Sequence, residues 1–140
     1  MQGNDVVVVD TGVFGAVLGT DPHGLVIKYK RHLLGRRLVI SFQTVAELRY
    51  GALVRGWRGQ RMYMLEERIR DAAVIPPHDQ LCSEWSALRN ECRASGHGLH
   101  EKSHVGDLWI AATARLIGSP LVTHDRIFEG VPGLRVICEI

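Results

Sequence analysis

Asp5-Val6-Val7-Val8-Val9-Asp10-Thr11 reads as a strand that is buried on both faces and closed by an acid. The run is β-branched and continuous rather than alternating, as strands of a parallel sheet read. A second run, Leu121-Val122-Thr123-His124, closes on Asp125 in the same way. Leu38 to Phe42, the short Ala73-Val74-Ile75 and the terminal Leu134 to Cys138 supply three further strand signals. Open parallel sheets carry their ligand sites at the carboxyl ends of the strands. The acids that end these runs therefore matter for function as well as for fold.

Helical patterns fill the intervals. Gly12 to Leu18 reads as a short helix. Pro22 to Leu34 reads as a longer one with Leu25, Val26, Tyr29 and Leu33 on one face, stopped near Gly35. Ser41 or Thr44 caps the next, which carries Glu47 and runs to about Val54 with Gly56 past its end. Gly59 to Ala73 is a helix rich in Arg and Glu, and Pro76-Pro77 stops the strand that follows it. Asp79 caps a helix to about Ala94 with Leu81, Trp85, Leu88 and Cys92 on its inner face. Ser95 to Val105 reads as a loop, Asp107 to Ile117 as a helix stopped at Gly118, and Asp125 to Gly133 as a turn. Alternating β and α at this spacing implies an α/β protein, a three-layer α/β/α sandwich with a mostly parallel central sheet.

The chain has 140 residues, which suits one domain over residues 1–140, large enough for a real core. Hydrophobic residues make up 46% and charged residues 23%, a soluble globular profile. No apolar stretch approaches the ~20 residues of a membrane span. The run between Asp5 and Asp10 is far too short for the apolar core of a signal peptide. Cys82, Cys92 and Cys138 are odd in number and lack CxxC spacing, which argues against a disulfide framework or a structural zinc site. A cytoplasmic protein is the expectation.

Net charge is only +2, so no global field forces a nucleic-acid reading. The charge is uneven, however. Lys28, Lys30, Arg31, Arg36 and Arg37 crowd one stretch, and Arg49, Arg55, Arg58 and Arg61 another. These are either solvated helix faces or a surface for phosphates; Arg55, Arg58 and Arg61 are the candidate RNA-binding residues.

Asp10, Glu47, Asp107 and Asp125 form the central candidate constellation. Two acids end strands and two lie early in helices, so one sheet edge would gather all four. Each close carboxylate pair costs roughly 3–4 kcal/mol at ~4.5 Å and an effective dielectric near 20. Such a cluster persists if a divalent cation neutralises it, which points to Mg²⁺ or Mn²⁺. Singly, each acid has an ordinary reading as a helix cap, a first-turn residue, a solvated helix face or a turn residue. Gly51, one turn past Glu47, leaves room for something to approach that acid. A rival zinc site drawn from His97, His100, His104 and Asp107 matches no HExxH-type spacing. Phosphate-loop, dinucleotide and nucleophile-elbow motifs are absent. Gly12 stands where a haloacid-dehalogenase-like phosphatase would want a second aspartate. Trp57, Trp85 and Trp109 are spread out, as core or interface residues are.

These pieces carry a resemblance. Val8-Val9-Asp10-Thr11, Thr44-Val45-Ala46-Glu47-Leu48-Arg49-Tyr50-Gly51, Asp107-Leu108-Trp109-Ile110-Ala111-Ala112-Thr113-Ala114 and Leu121-Val122-Thr123-His124-Asp125-Arg126-Ile127-Phe128 occur in an order that resembles PIN-domain ribonucleases of the VapC toxin type. The resemblance covers nearly the whole chain. It implies that Asp10, Glu47, Asp107 and Asp125 are the catalytic and metal-binding acids, supported by the hydroxyls of Thr11 and Thr123. It implies a Mg²⁺- or Mn²⁺-dependent endoribonuclease, a toxin that leaves 5′-phosphate and 3′-hydroxyl ends. The expected substrate is structured RNA with an exposed loop, such as transfer or ribosomal RNA. The expected partner is a small antitoxin protein. The apolar residues Leu25, Val26, Tyr29, Leu33, Leu48 and Leu53 are expected to serve a homodimer contact and an antitoxin groove. Gly12 departs from the pattern where Ser is frequent, and Gly106 where Asn is. Two other classes stand beside this one: a catalytically spent binding module on the same scaffold, and a metal phosphohydrolase for small substrates.

Overall fold

The computed structural model describes residues 5–140. Its strands are β1 (Val6–Val9), β2 (Arg37–Ser41), β3 (Ala73–Ile75), β4 (Leu121–Val122) and β5 (Val136–Ile137). Its α-helices are α1 (Thr11–Gly15), α2 (Leu25–Leu33), α3 (Phe42–Arg55), α4 (Gln60–Asp71), α5 (Asp79–Ser95) and α6 (Val105–Ile117). The strands make one sheet in the order β3-β2-β1-β4-β5, and every pairing is parallel. The sheet is the centre of a three-layer α/β/α sandwich.

Strand side chains alternate between two cores, as the period of two requires. Val8, Val39 and Leu121 join Leu81, Leu88, Leu108 and Ala111 of α5 and α6. Val7, Val9, Ile40 and Val122 join Phe14, Tyr29, Ala52 and Leu65 of α1 to α4. Val7, Val8 and Val9 are all fully buried, and each such side chain contributes about 1.5–3 kcal/mol relative to exposure. Both faces of β1 are thus covered, which is why its sequence is continuous rather than alternating.

The topology places the site. β1 lies between β2 and β4, so the chain leaves β1 toward one neighbour and returns beside it on the other. That switch opens a crevice at the carboxyl edge. β2 runs into α3 without a loop, because Ser41 ends the strand and caps the helix by accepting the Gln43 N–H at 3.0 Å. Glu47 is thereby held close to the sheet edge. Gly56, at φ 70°, ends α3 in the left-handed conformation that favours glycine.

Several boundaries differ from the sequence expectation. α2 starts at Leu25 rather than Pro22, because Gly24 is left-handed at φ 64°. Asp21 takes the Leu25 and Val26 N–H groups at 2.7 and 3.0 Å. His78, not Asp79, caps α5 through its ring nitrogen. The segment Ser95 to Val105 is not featureless: it holds two 3₁₀ turns, Gly98–His100 and Lys102–His104. α6 starts at Val105, which puts Asp107 inside its first turn. Among the apolar residues read as a docking surface, Tyr29 is fully buried, whereas Val26 and Leu53 are exposed. No helix among the described residues is long and apolar enough to cross a membrane.

Candidate active site

Asp10 ends β1 and caps α1. Its Oδ1 accepts the Val13 N–H at 2.9 Å, and its Oδ2 accepts the Thr123 hydroxyl. Thr123 Oγ1 also accepts the Asp125 N–H at 3.0 Å, so one hydroxyl ties the end of β1 to the turn after β4. Tyr29 holds that turn from below. Its hydroxyl donates to the Thr123 carbonyl at 3.0 Å, accepts the Glu139 N–H at 2.7 Å and lies 2.7 Å from His124 Nδ1.

Glu47 is fixed on the opposite wall. Its Oε1 accepts the Thr11 hydroxyl at 2.5 Å, and Thr11 Oγ1 lies 3.0 Å from Thr44 Oγ1. Asp107 Oδ2 lies 3.1 Å from His104 Nδ1. Asp125 is exposed and accepts the Ile127 N–H at 3.0 Å, capping a 3₁₀ turn. Asp10, Asp107 and Asp125 thus also fill the ordinary structural roles open to them. Ser41, Thr44 and Thr123 are fully buried; Thr123 backs Asp10, and Thr44 backs Thr11.

Asp10, Thr11, Glu47, Asp107 and Asp125 line one cleft of about 520 Å³. Its rim includes His23, His124 and Arg126, which sequence reasoning did not single out. For His124 and Arg126 the signal was their position beside Asp125; for His23 there was none, since its ring meets His124 only through the fold, at 6.2 Å between centroids.

The acids act on one another. Burial raises the Asp10 carboxyl from its ordinary 3.8 to about 6, against the two hydrogen bonds that favour its charge, and Asp125 and Asp107 push in the same direction as burial. Asp107 is also raised, first by burial, against His104, with Asp125 and Glu47 adding repulsion.

The donors fit a hard cation. The cleft offers carboxylate and hydroxyl oxygens, and none of the three cysteines lines it. As they stand, no three His, Cys, Asp or Glu side chains among the described residues form a group that could hold an ion. The four acids thus line one cleft without closing on a common point. The alternative histidine cluster is otherwise engaged. His97 Nε2 lies 2.7 Å from the Glu129 carbonyl, and His100 Nδ1 lies 2.8 Å from the His97 carbonyl.

Both glycine departures have a spatial reading. A Cβ on Gly106 would stand 2.8 Å from Gln43 Nε2 and 3.5 Å from Glu47 Oε2, so the Gln43 amide fills that space. A Cβ on Gly12 would meet only Asp10 Oδ1, at 3.9 Å. The room left at Gly51 is taken by Arg55, whose Nη1 would lie 2.7 Å from a Cβ there.

The basic stretches divide. Arg49 pairs with Glu66 at 2.8 Å, and Arg31 with Glu139 at 2.6 Å. Arg55 and Arg61 stand over the Trp57 ring at 5.9 and 5.3 Å, and Arg58 is exposed. Among the described residues, none of these three pairs with a carboxylate.

Comparison with known proteins adds to this geometry. The family model described as PIN domain matches residues 7–134. Ribonuclease VapC5 of Mycobacterium tuberculosis is 33% identical over 104 residues, covering 72% of this chain and 73% of its own. Ribonuclease VapC1 of Haemophilus influenzae is 27% identical over 120 residues, covering 86% and 87%. Among solved structures, VapBC-5 of Mycobacterium tuberculosis, a member of the VapBC family of toxin-antitoxin systems, superposes with a TM-score of 0.68 at 28% identity, covering 96% of this chain and 99% of that one.

Proposed function

The chain belongs to the PIN domain family, of the VapC type, and from that premise we propose that it is a divalent-metal-dependent endoribonuclease, the toxin of a toxin–antitoxin pair. The observation that carries the reading is the single cleft lined by Asp10, Glu47, Asp107 and Asp125, in which burial and neighbouring acids hold Asp10 up to about 6. Without a cation, burial and the mutual repulsion of these acids work against their charged forms. The ribonuclease names of the two curated relatives support hydrolysis of RNA.

Asp10, Asp107 and Asp125 would hold a Mg²⁺ or Mn²⁺ ion, with Glu47 either sharing a second ion or orienting the attacking water. Bound there, the cation supplies charge neutralisation at the scissile phosphate and activation of water. The remaining roles belong to the chain itself. Thr123 holds Asp10 and the Asp125 backbone in one register through a single hydroxyl. Thr11 fixes the rotamer of Glu47, so the acid is oriented before substrate arrives. Arg126 and His124 stand at the rim, where they can meet an RNA phosphate. Arg55, Arg58 and Arg61 hold the RNA backbone outside the acidic cleft, without competing carboxylates.

The substrate is structured RNA with an exposed single-stranded loop, a transfer or ribosomal RNA, because an open acidic cleft flanked by arginines reads shape and backbone rather than a groove. The chain acts as one nuclease domain. An apolar groove of about 270 Å³ between α1 and α2, with Val17, Val26 and Leu34 exposed on it, receives the antitoxin's amphipathic segment. The exposed Tyr50, Leu53 and Val54 of α3 supply a homodimer contact.

The test is substrate class. Purified protein is incubated with a transfer RNA and, separately, with a phosphomonoester, with Mg²⁺ or Mn²⁺ and with EDTA. Cleavage of the RNA alone, abolished by EDTA, is expected. Hydrolysis of the phosphomonoester alone would favour a small-substrate phosphohydrolase, and RNA binding without cleavage in either metal would favour a spent binding module.

A further inference from the structure

Beside the acidic cleft lies a second pocket of about 240 Å³. The two adjoin, sharing Thr11 and Gly12 in their walls. The second pocket carries no acid. Its walls include Gly15, Gly19, Thr20, Leu48, Arg55 and Trp57 beyond the shared pair.

Three features mark it as built for an anion with a polar body. The first is the path of Arg55. Glu47, Gly51 and Arg55 succeed one another at four-residue intervals on α3 and share a face. Any side chain at Gly51 would collide with the Arg55 guanidinium, so the glycine lets Arg55 fold back along the helix toward the cleft. The second is its electrostatic freedom. Arg55 has no carboxylate partner among the described residues and is steadied by the Trp57 ring instead. A guanidinium ordered by an aromatic face keeps its donors for a ligand. The third is the Trp57 ring, which lines the pocket and stands 3.7 Å from where a Cβ on Gly19 would lie; an aromatic face of this kind packs against a base or sugar.

We infer that this pocket is the subsite for the nucleotide adjoining the scissile phosphodiester of a single-stranded RNA. Arg55 contacts its phosphate, and the Trp57 ring packs against its sugar or base. The inference rests on the ribonuclease reading above and deepens it. The volume suits one nucleotide and excludes a helical segment, which matches a substrate cut in an exposed loop. Small glycine walls let the sugar-phosphate approach the backbone. The separation of signs is also functional: the acids take the cation at the reacting phosphate, and the neighbouring guanidinium takes the next phosphate along.

Binding of a labelled five-nucleotide single-stranded RNA to the full chain in EDTA, read by fluorescence anisotropy, tests this apart from catalysis. Arg55→Gln is expected to weaken binding about tenfold at low salt. It should also lower the slope of log affinity against log salt by about 0.7, one phosphate on a single strand. Trp57→Leu keeps an apolar side chain and loses the aromatic face, and should weaken binding about fivefold with little change in slope. Gly19→Asp sets a carboxylate beside Trp57 without altering either residue and should also weaken binding. Arg93→Gln, an exposed arginine on α5 outside the pocket, serves as the control for general attraction. Melting curves within a few degrees of the parent establish that each variant is folded. Equal losses for Arg55→Gln and Arg93→Gln would overturn the subsite in favour of a diffuse field, as would unchanged binding in Gly19→Asp. Unchanged binding in Trp57→Leu would overturn the role of the ring. Failure of the parent to cleave RNA in Mg²⁺ or Mn²⁺ would instead count against the ribonuclease reading, because the binding measurement contains no metal.

Discussion

Asp10→Asn replaces a buried carboxylate by its neutral isostere, and the structure sets the size of the effect. Burial and two neighbouring acids raise Asp10 from 3.8 to about 6. A gap of about two pH units between folded and unfolded chains is worth about 3 kcal/mol. The sign follows from the direction. A carboxyl raised on folding favours the protonated native state, so its contribution is fully present below about pH 4 and is lost as pH rises through 6. At pH 7 without metal the parent therefore carries most of that cost, and the asparagine escapes it. The amide oxygen can still accept the Val13 N–H, and the amide nitrogen can face Thr123 Oγ1. For a chain of this size about 2–4 °C per kcal/mol applies, so the variant should melt about 6–12 °C above the parent at pH 7. The difference should shrink toward zero near pH 4. Asp107 is raised in the same direction, so the parent itself should gain stability on acidification from pH 7 to pH 5. Added Mn²⁺ narrows the gap: at a hundredfold excess over its dissociation constant it stabilises the parent by about 2.7 kcal/mol and the variant by less. Calorimetry in EDTA across pH 4–8, repeated with Mn²⁺, measures all of this. A variant that melts below the parent at pH 7, or equal Mn²⁺ shifts in both, would refute the reasoning.

Tyr29→Phe removes a hydroxyl shared by the Thr123 carbonyl, the Glu139 N–H and His124. Leaving those groups unmet should cost about 1–3 kcal/mol in chemical denaturation and loosen the turn that holds Asp125; an unchanged midpoint would show that the hydroxyl only fills space. Gly106→Ala presses a methyl group onto the Gln43 amide beside Glu47. Because Gln43 can swing away, its melting temperature should move by little while RNA cleavage falls severalfold; full cleavage would show that Gln43 does not support Glu47. Light scattering at micromolar concentration should report a dimer, and Leu53→Glu on the exposed face of α3 should give a monomer that keeps its melting temperature.

Much of the fold was legible because its signals are local. The strand β1 could be read from four valines, and the acids from their position where apolar runs end. The Ser41 cap could be read because serine accepts a neighbouring N–H wherever a strand turns into a helix. What escaped depends on contacts between distant residues. Tyr29 looked like one more apolar position on α2, yet its hydroxyl reaches residues 123 and 139. Gly51 looked like open space near Glu47, and Arg55 occupies it. Trp57 looked like core and does pack against it, but its ring also carries two guanidiniums that the sequence did not show. The early start read for α2 followed Pro22, a good first-turn residue, but Asp21 and the left-handed Gly24 delay the helix. Side-chain capping of that kind leaves no periodic trace in a sequence.

Single-turnover cleavage of a transfer RNA in Mn²⁺, by the parent and by Asp107→Asn at equal RNA occupancy, tests the central claim most directly. The account predicts discrete cuts in an exposed loop by the parent, none in EDTA, and a loss of at least a hundredfold in rate for the variant with RNA affinity kept. Cleavage by Asp107→Asn at the parental rate, or cutting by the parent that persists in EDTA, would contradict it.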